Sequence, residues 1–229
     1  MPFSPENFKL AFSVDSIIFA FDKGKLQVLL IKRAEEPFKN QWALPGALVE
    51  VDENLRDAPM RSLKELTGLE NVFLEQVFTF GKVDRHPKGR VVTVAYYSLI
   101  NKNNVSPIPS SFAQEVMWLD IDEITSLAFD HYEILTVCLK RLRESVRRRP
   151  VGFELLPKIF TLSDVQDLYE AILNKKLDKR NFRKKIISLK ILEDIKEYQQ
   201  NVAHRPAKLF KFDLEKYEEA QSKGFNFEI

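Results

Sequence analysis

WALPGALVEVDENLRDAPMRSLKELTGL, Trp42 to Leu69, is the stretch around which the chain is organised. It opens on the turn Pro45-Gly46, closes on Gly68, and holds one helix-length segment approached through the carboxylates Glu50 and Glu53. With Asn54 as N-cap, the helix is expected from about Leu55 to Leu66, stopped by Gly68. Pro59 is then its fifth residue, has no N–H to return to the carbonyl of Leu55, and distorts the first turn. Positions 62, 65 and 66 follow the i, i+3, i+4 spacing that places side chains on one helix face. Of the three, Glu65 alone is acidic; the others are Ser62 and Leu66.

The stretch resembles the Nudix box, the loop–helix–loop signature of enzymes that cleave nucleoside diphosphates linked to another group. Counted from Gly68, the residues Glu53, Arg61, Leu63, Glu65, Gly68 and Leu69 agree with it. Ala47 stands where a Gly is expected, and Ser62 and Leu66 stand where two of three helical Glu are expected. An active box presents an acidic face, because Mg²⁺ is a hard ion that takes oxygen ligands, usually with one or more carboxylates among them. Ser62 is a weak neutral ligand and Leu66 is none. The expectation is a degenerate box that keeps the fold without a metal, a cofactor or a catalytic residue.

The rest of the composition sets bounds. A chain of 229 residues, 45% hydrophobic and 11% aromatic, suits one large or two small cored domains. No apolar run approaches the roughly 18 residues of a membrane span, and MPFSPENFKL lacks the basic-then-apolar order of a signal peptide. The single cysteine, Cys138, fits a reducing cytoplasm and a small buried apolar role. His86, His131 and His204 are dispersed, so a zinc site is not expected. Charge is uneven: residues 171–190 hold eight Lys and Arg against Asp178 alone, in a chain whose net charge is +2. Such a cluster points to a polyanion partner or to a solvated helix face.

Taken in order, residues 11–21 and 26–32 read as strands joined at Lys23-Gly24, a hairpin turn. Lys32 and Arg33 end the second strand. Residues 71–80 and 91–100 read as further strands, with a loop between them rich in Gly, Pro and both signs of charge. Residues 115–124 form a short strand, and a helix runs from Tyr132 to about Arg148 with Ile134, Leu135, Cys138, Leu139 and Leu142 at helical spacing. The Arg147-Arg148-Arg149-Pro150 run suits the end of that helix rather than a DNA contact. Residues 1–150 are thus expected to form an α/β sandwich with a mixed sheet. The Nudix resemblance implies a ligand groove near Arg33, Trp42, Gly46, Asp84 and Arg85.

Residues 151–229 have another character. Thr161 to Leu173 reads as a helix with Thr161 or Ser163 as N-cap and Val165, Leu168, Tyr169 and Ile172 on one face. Asp178 caps a second, basic helix with Phe182, Ile186 and Leu189 as its buried stripe, and residues 191–198 and 207–212 read as a hairpin. Helix, turn, basic helix and hairpin is the order of a winged helix-turn-helix. Lys179, Arg180, Asn181, Arg183 and Lys184, with His204 and Arg205 in the wing loop, are the expected DNA contacts: Arg180 and Asn181 for bases, the other helix cations for phosphates.

Together the two halves resemble the Nudix-related transcriptional regulators, bacterial proteins that join a Nudix-like sensor to a C-terminal winged helix. Leu156-Pro157, Phe160-Thr161-Leu162, Leu168 to Ile172 and Asp178 to Lys185 carry the resemblance. It implies a homodimer on an inverted-repeat operator in double-stranded DNA. It also implies a small effector in the degenerate pocket: ADP-ribose in regulators of NAD metabolism, or a pentose such as arabinose in regulators of carbohydrate metabolism. The chain is expected to be a cytoplasmic regulator, a repressor before an activator, with no membrane partner. The alternative is a Mg²⁺-dependent Nudix hydrolase acting on ADP-ribose or a related compound.

Overall fold

The computed structural model describes residues 10–109, 112–200, 202 and 205–223. The chain forms two compact units that divide between Arg141 and Leu142, with Phe21–Leu26 grouped with the second.

In the first unit, β1 (Ala11–Asp22) and β2 (Lys25–Arg33) form the hairpin, turning at Lys23 and Gly24 with φ of 50° and 81°. Two positive φ values in a two-residue connection match the right-handed twist of the flanking strands. Then come β3 (Trp42–Ala43), β4 (Gly46–Leu48), α1 (Ala58–Thr67), β5 (Glu75–Phe80), β6 (Val91–Leu99), β7 (Ala113–Asp120) and α2 (His131–Arg148). Among the described residues the strands make one seven-stranded sheet in the order β3-β2-β1-β6-β5, with β4 paired to β1 and β7 to β2. β1 and β6 run parallel and the other pairs antiparallel, so the sheet is mixed. Continuous burial along Ile17–Ala20 and Val28–Ile31 means that these strands are covered on both faces.

α1 begins later than its sequence suggests. Its N-cap is Asp57, not Asn54, which leaves Pro59 in the first helical turn. The missing N–H is one that a helix start leaves unbonded anyway, so Pro59 fits without distortion. Residues 54–57 are used up in a turn, Asp57 N–H bonding to the Asn54 carbonyl at 2.9 Å. Gly68 ends the helix at φ 71°, its N–H bonding to Lys64. The next strand is also shorter than its apolar pattern implies, because Asn71 takes a left-handed φ of 56° and pairing starts only at Glu75.

The second unit contains β8 (Phe160–Thr161), α3 (Leu162–Leu173), α4 (Lys179–Ser188), β9 (Leu192–Tyr198), β10 (Lys208–Phe212) and α5 (Leu214–Ser222). Its sheet has the order β8-β10-β9. Thr161 caps α3 through a reciprocal box: its hydroxyl accepts Asp164 N–H at 3.2 Å, and the Asp164 carboxylate accepts Thr161 N–H at 2.7 Å. Asp178 caps α4, accepting Asn181 N–H at 2.8 Å. Leu168, Tyr169, Ile172, Phe182, Ile186 and Leu189 are buried, the stripe their spacing predicts.

Candidate functional site

A cavity in the first unit gathers residues from four parts of the chain. β1 contributes Ser13 and Asp15, β2 ends at Arg33, the 81–90 loop supplies Arg85 and His86, and the entry to α2 supplies Phe129 and His131. The Pro45-Gly46 turn forms one wall. Gly46 has no room for a side chain, since a Cβ would lie 2.2 Å from Asp15 Oδ1 and 2.6 Å from the Val14 carbonyl.

Asp15 is buried and accepts the Thr93 hydroxyl at 2.7 Å. Arg85 donates twice to Asp130, at 2.8 and 2.7 Å, and lies 3.6 Å from Asp15. His131 Nδ1 accepts Leu44 N–H at 3.0 Å. The proton of the neutral ring therefore sits on Nε2, which faces Asp15 Oδ1 at 3.4 Å. Burial pushes the His131 pKa below its ordinary value, against the opposing pull of Asp15 and Asp130. Neutral is also the form its hydrogen bond demands, because a second ring proton would point at the Leu44 N–H.

The other side of the cavity is aromatic and cationic. Phe129 takes a φ of 56°, rare for a bulky residue, and its ring stacks on His86 with centroids 5.2 Å apart and planes 12° apart. The Arg33 guanidinium lies 4.9 Å from the Phe129 ring centre and is steadied by an Nε–H bond to the Pro37 carbonyl at 2.8 Å. His86 is held below its ordinary pKa by burial first, then by the Arg85 and Arg33 charges.

Of the five groove residues expected from sequence, Arg33, Gly46 and Arg85 line this cavity and Trp42 and Asp84 do not. Trp42 lies instead beneath the Lys32 ammonium, 5.9 Å from its ring centre, and Asp84 is exposed on its loop. Arg85 is buried and committed to Asp130, a fixed part of the wall rather than a free anion ligand. Asp15, His86, Phe129 and His131 were missed. Asp15 had a signal, the one charged residue inside the run 11–21; Phe129 had none, because its role depends on its backbone conformation.

The helix of the box is turned so that Ser62 and Leu66 face inward and Glu65 outward, correcting the expectation that the three share one face. Leu66 belongs to an apolar cluster with Ile31, Ala43, Ala113 and Ala128. Ser62 is fully buried and its hydroxyl has no partner. The remaining carboxylates converge on Arg61, which bonds Glu53 at 2.7 and 2.9 Å and Glu65 at 3.0 Å, and lies 3.6 Å from Glu50. The Arg61 hydrogen bond holds the Glu53 carboxyl below its ordinary range. This donor set does not fit the Mg²⁺ of an active Nudix site. Two inward positions offer an aliphatic chain and a buried hydroxyl, and the remaining acids are turned towards one guanidinium. Among the described residues no group of three His, Cys, Asp or Glu is placed to hold a metal ion.

In the second unit, Lys179, Arg180, Asn181 and Lys184 are exposed along α4, as is Arg205 after β9. Arg183 departs from the phosphate role expected of it. It is half-buried and donates to Ser163 Oγ at 2.7 Å, tying α4 to α3. His204 lies outside the described residues.

Residues 10–138 match the NUDIX domain, and residues 152–212 match the NrtR DNA-binding winged helix domain. The ADPR responsive transcriptional repressor NtrR of Acinetobacter baylyi is 38% identical over 218 residues, 94% of this chain and 84% of its own. The chain belongs to the Nudix-related transcriptional regulators. This family membership accounts for both halves at once, the mixed-sheet Nudix unit and the winged helix that follows it. Among solved members, Shewanella oneidensis NrtR complexed with a 27mer DNA resembles the chain with a TM-score of 0.75 at 27% identity, covering 94% of this chain and 97% of that one. The NUDIX domain of the same NrtR complexed with ADP ribose resembles it with a TM-score of 0.56 at 31% identity, covering 61% of this chain and 94% of that one.

Proposed function

We propose that this regulator is a repressor that holds an inverted-repeat operator as a homodimer through α4 and releases it when ADP-ribose enters the cavity of the first unit. The observation that carries the reading is the near full-length similarity to a repressor named for its response to ADP-ribose. The cavity's chemistry agrees. Phe129 and His86 offer a planar surface to a base, Arg33 a cation to a diphosphate, and Asp15 a carboxylate to sugar hydroxyls. A free pentose would leave the aromatic and cationic side unused. The box is proposed to have no turnover, since Ser62 and Leu66 are inward and Arg61 binds the acids that remain.

The test begins with an operator selected from random duplexes and followed by fluorescence anisotropy. ADP-ribose is expected to release the DNA, whereas arabinose and NAD are not. ADP-ribose incubated with the protein and Mg²⁺ is expected to stay intact. Release by arabinose alone would sink the effector assignment, and steady Mg²⁺-dependent cleavage abolished by Glu65→Gln would sink the non-enzymatic one.

A further inference from the structure

Some cations of the second unit are paired with acids and others are not. Lys176 pairs with Glu170, Lys208 with Asp194, Lys211 with Glu193, Lys216 with Asp213 and Lys223 with Glu219. Arg147, Arg148 and Lys185 are exposed and, among the described residues, have no acidic partner. These three line one concavity together with Asn181 in the first turn of α4. Its floor is Leu177 and Phe182, and its one acid, Asp178, is already engaged by the Asn181 N–H it caps at 2.8 Å.

We infer that Arg147 and Arg148, at the end of α2, complete a phosphate seat beside the recognition helix, where one strand of the DNA backbone is gripped between α2 and the first turns of α4. The inference rests on the DNA-binding reading above and adds to it a segment outside the helix-turn-helix. Three cations and the amide of Asn181 face one concavity of about 660 Å³, roomy enough for a phosphodiester with its flanking sugars. The three cations are exposed, so their attraction for phosphate is screened by salt. Contacts of this kind carry no sequence information; they set the register in which the N-terminal end of α4 enters the major groove. The competing account is that Arg147 and Arg148 only complement the dipole at the C-terminus of α2. That account predicts an effect on stability and none on DNA.

The experiment compares Arg147→Gln/Arg148→Gln with a control, Lys216→Gln/Lys223→Gln, whose cations are paired with Asp213 and Glu219. Binding to a random-sequence duplex of the 27mer length used with the Shewanella relative is measured by anisotropy over a salt series, alongside thermal melts. Each phosphate neutralised contributes about 0.9 to the slope of log affinity against log salt. With two such side chains in each protomer, the first variant is therefore expected to lose roughly 1.8 of that slope per bound protomer, and the control none. A lowered melting temperature with the parental slope would overturn the seat in favour of the dipole account. An equal loss in the control would overturn it in favour of general charge. Absence of salt-dependent binding in the parent protein would instead remove the DNA-binding reading itself.

Discussion

His131 sits where the cavity wall, the start of α2 and the Leu44 backbone meet, and its single hydrogen bond fixes its tautomer. His131→Ala leaves the Leu44 N–H without its acceptor. An orphaned buried donor costs about 1–3 kcal/mol, so denaturant melts of the variant are expected to show at least that loss near neutral pH. The pH dependence has a definite sign. The folded state holds His131 neutral, its pKa lowered chiefly by burial, while the unfolded chain takes up a proton below about pH 6.5. The stabilisation is therefore present above that pH and is lost as the pH falls beneath it. His86 is shifted in the same direction, so His131→Ala is expected to reduce the acid sensitivity of melting without abolishing it. A variant as acid-sensitive as the parent would show that His131 is not the group responsible. Ser62 and Leu66 illustrate how far residue-scale reading reaches. Their identities show that the box departs from the acidic pattern, and their spacing placed them on one face. Which face α1 turns inward depends on Leu63 and its partners Ile18 and Leu29, long-range contacts that no local window contains.

At the scale of elements, α3 and α4 are secured by their own sequence. Thr161 with Asp164 and Asp178 with Asn181 define both N-termini, and both caps were legible because a polar residue precedes each apolar repeat. In the last turn of α3, Glu170 accepts Lys176 Nζ, Gln166 Nε2 and Leu177 N–H, which draw its carboxyl down to about 2. α1 was read three residues early because Asn54 is as good a cap as Asp57 by type, and only the tolerance of a first helical turn for proline decides between them. β8 escaped notice because two residues are too few to make a pattern; their partners on β10, Leu209 and Phe210, lie far along the chain. On α4 the exposed cations are expected to divide by role. Arg180→Ala is expected to cost about 1–3 kcal/mol on the selected operator and to relax its specificity. Lys184→Ala is expected to weaken operator and random duplex alike and to lower the salt slope by about one. Arg183, bonded to Ser163, should behave differently: Arg183→Ala should lower the melting temperature before it alters DNA preference. Anisotropy on both duplexes at two salt concentrations, read beside thermal melts, separates the three. Equal effects of Arg180→Ala on both duplexes would exclude base readout by that side chain.

For the whole molecule, one boundary between the compact units, at Arg141 and Leu142, falls inside α2, while Phe21–Leu26 at the β1–β2 turn is grouped with the second unit. The first residue of that helix, His131, lines the cavity, and residues of its last turn, Arg147 and Arg148, line the concavity beside α4. If ADP-ribose lowers operator affinity by some factor, the operator must lower ADP-ribose affinity by the same factor, because both describe one coupling free energy. Such factors typically lie at about 5–150-fold, within reach of calorimetry with and without saturating DNA. Lys140, exposed and one residue before the final pair at the boundary, offers a way to loosen the helix without touching either site. A glycine in a helix interior costs about 1 kcal/mol relative to alanine. Lys140→Gly is therefore expected to keep the separate affinities for ADP-ribose and DNA while moving the coupling factor towards one, with Lys140→Ala retaining the parental factor. Coupling unchanged in Lys140→Gly would mean that the continuity of α2 does not carry the signal, and unequal factors measured in the two directions would mean that ADP-ribose and the operator are not acting on the same equilibrium.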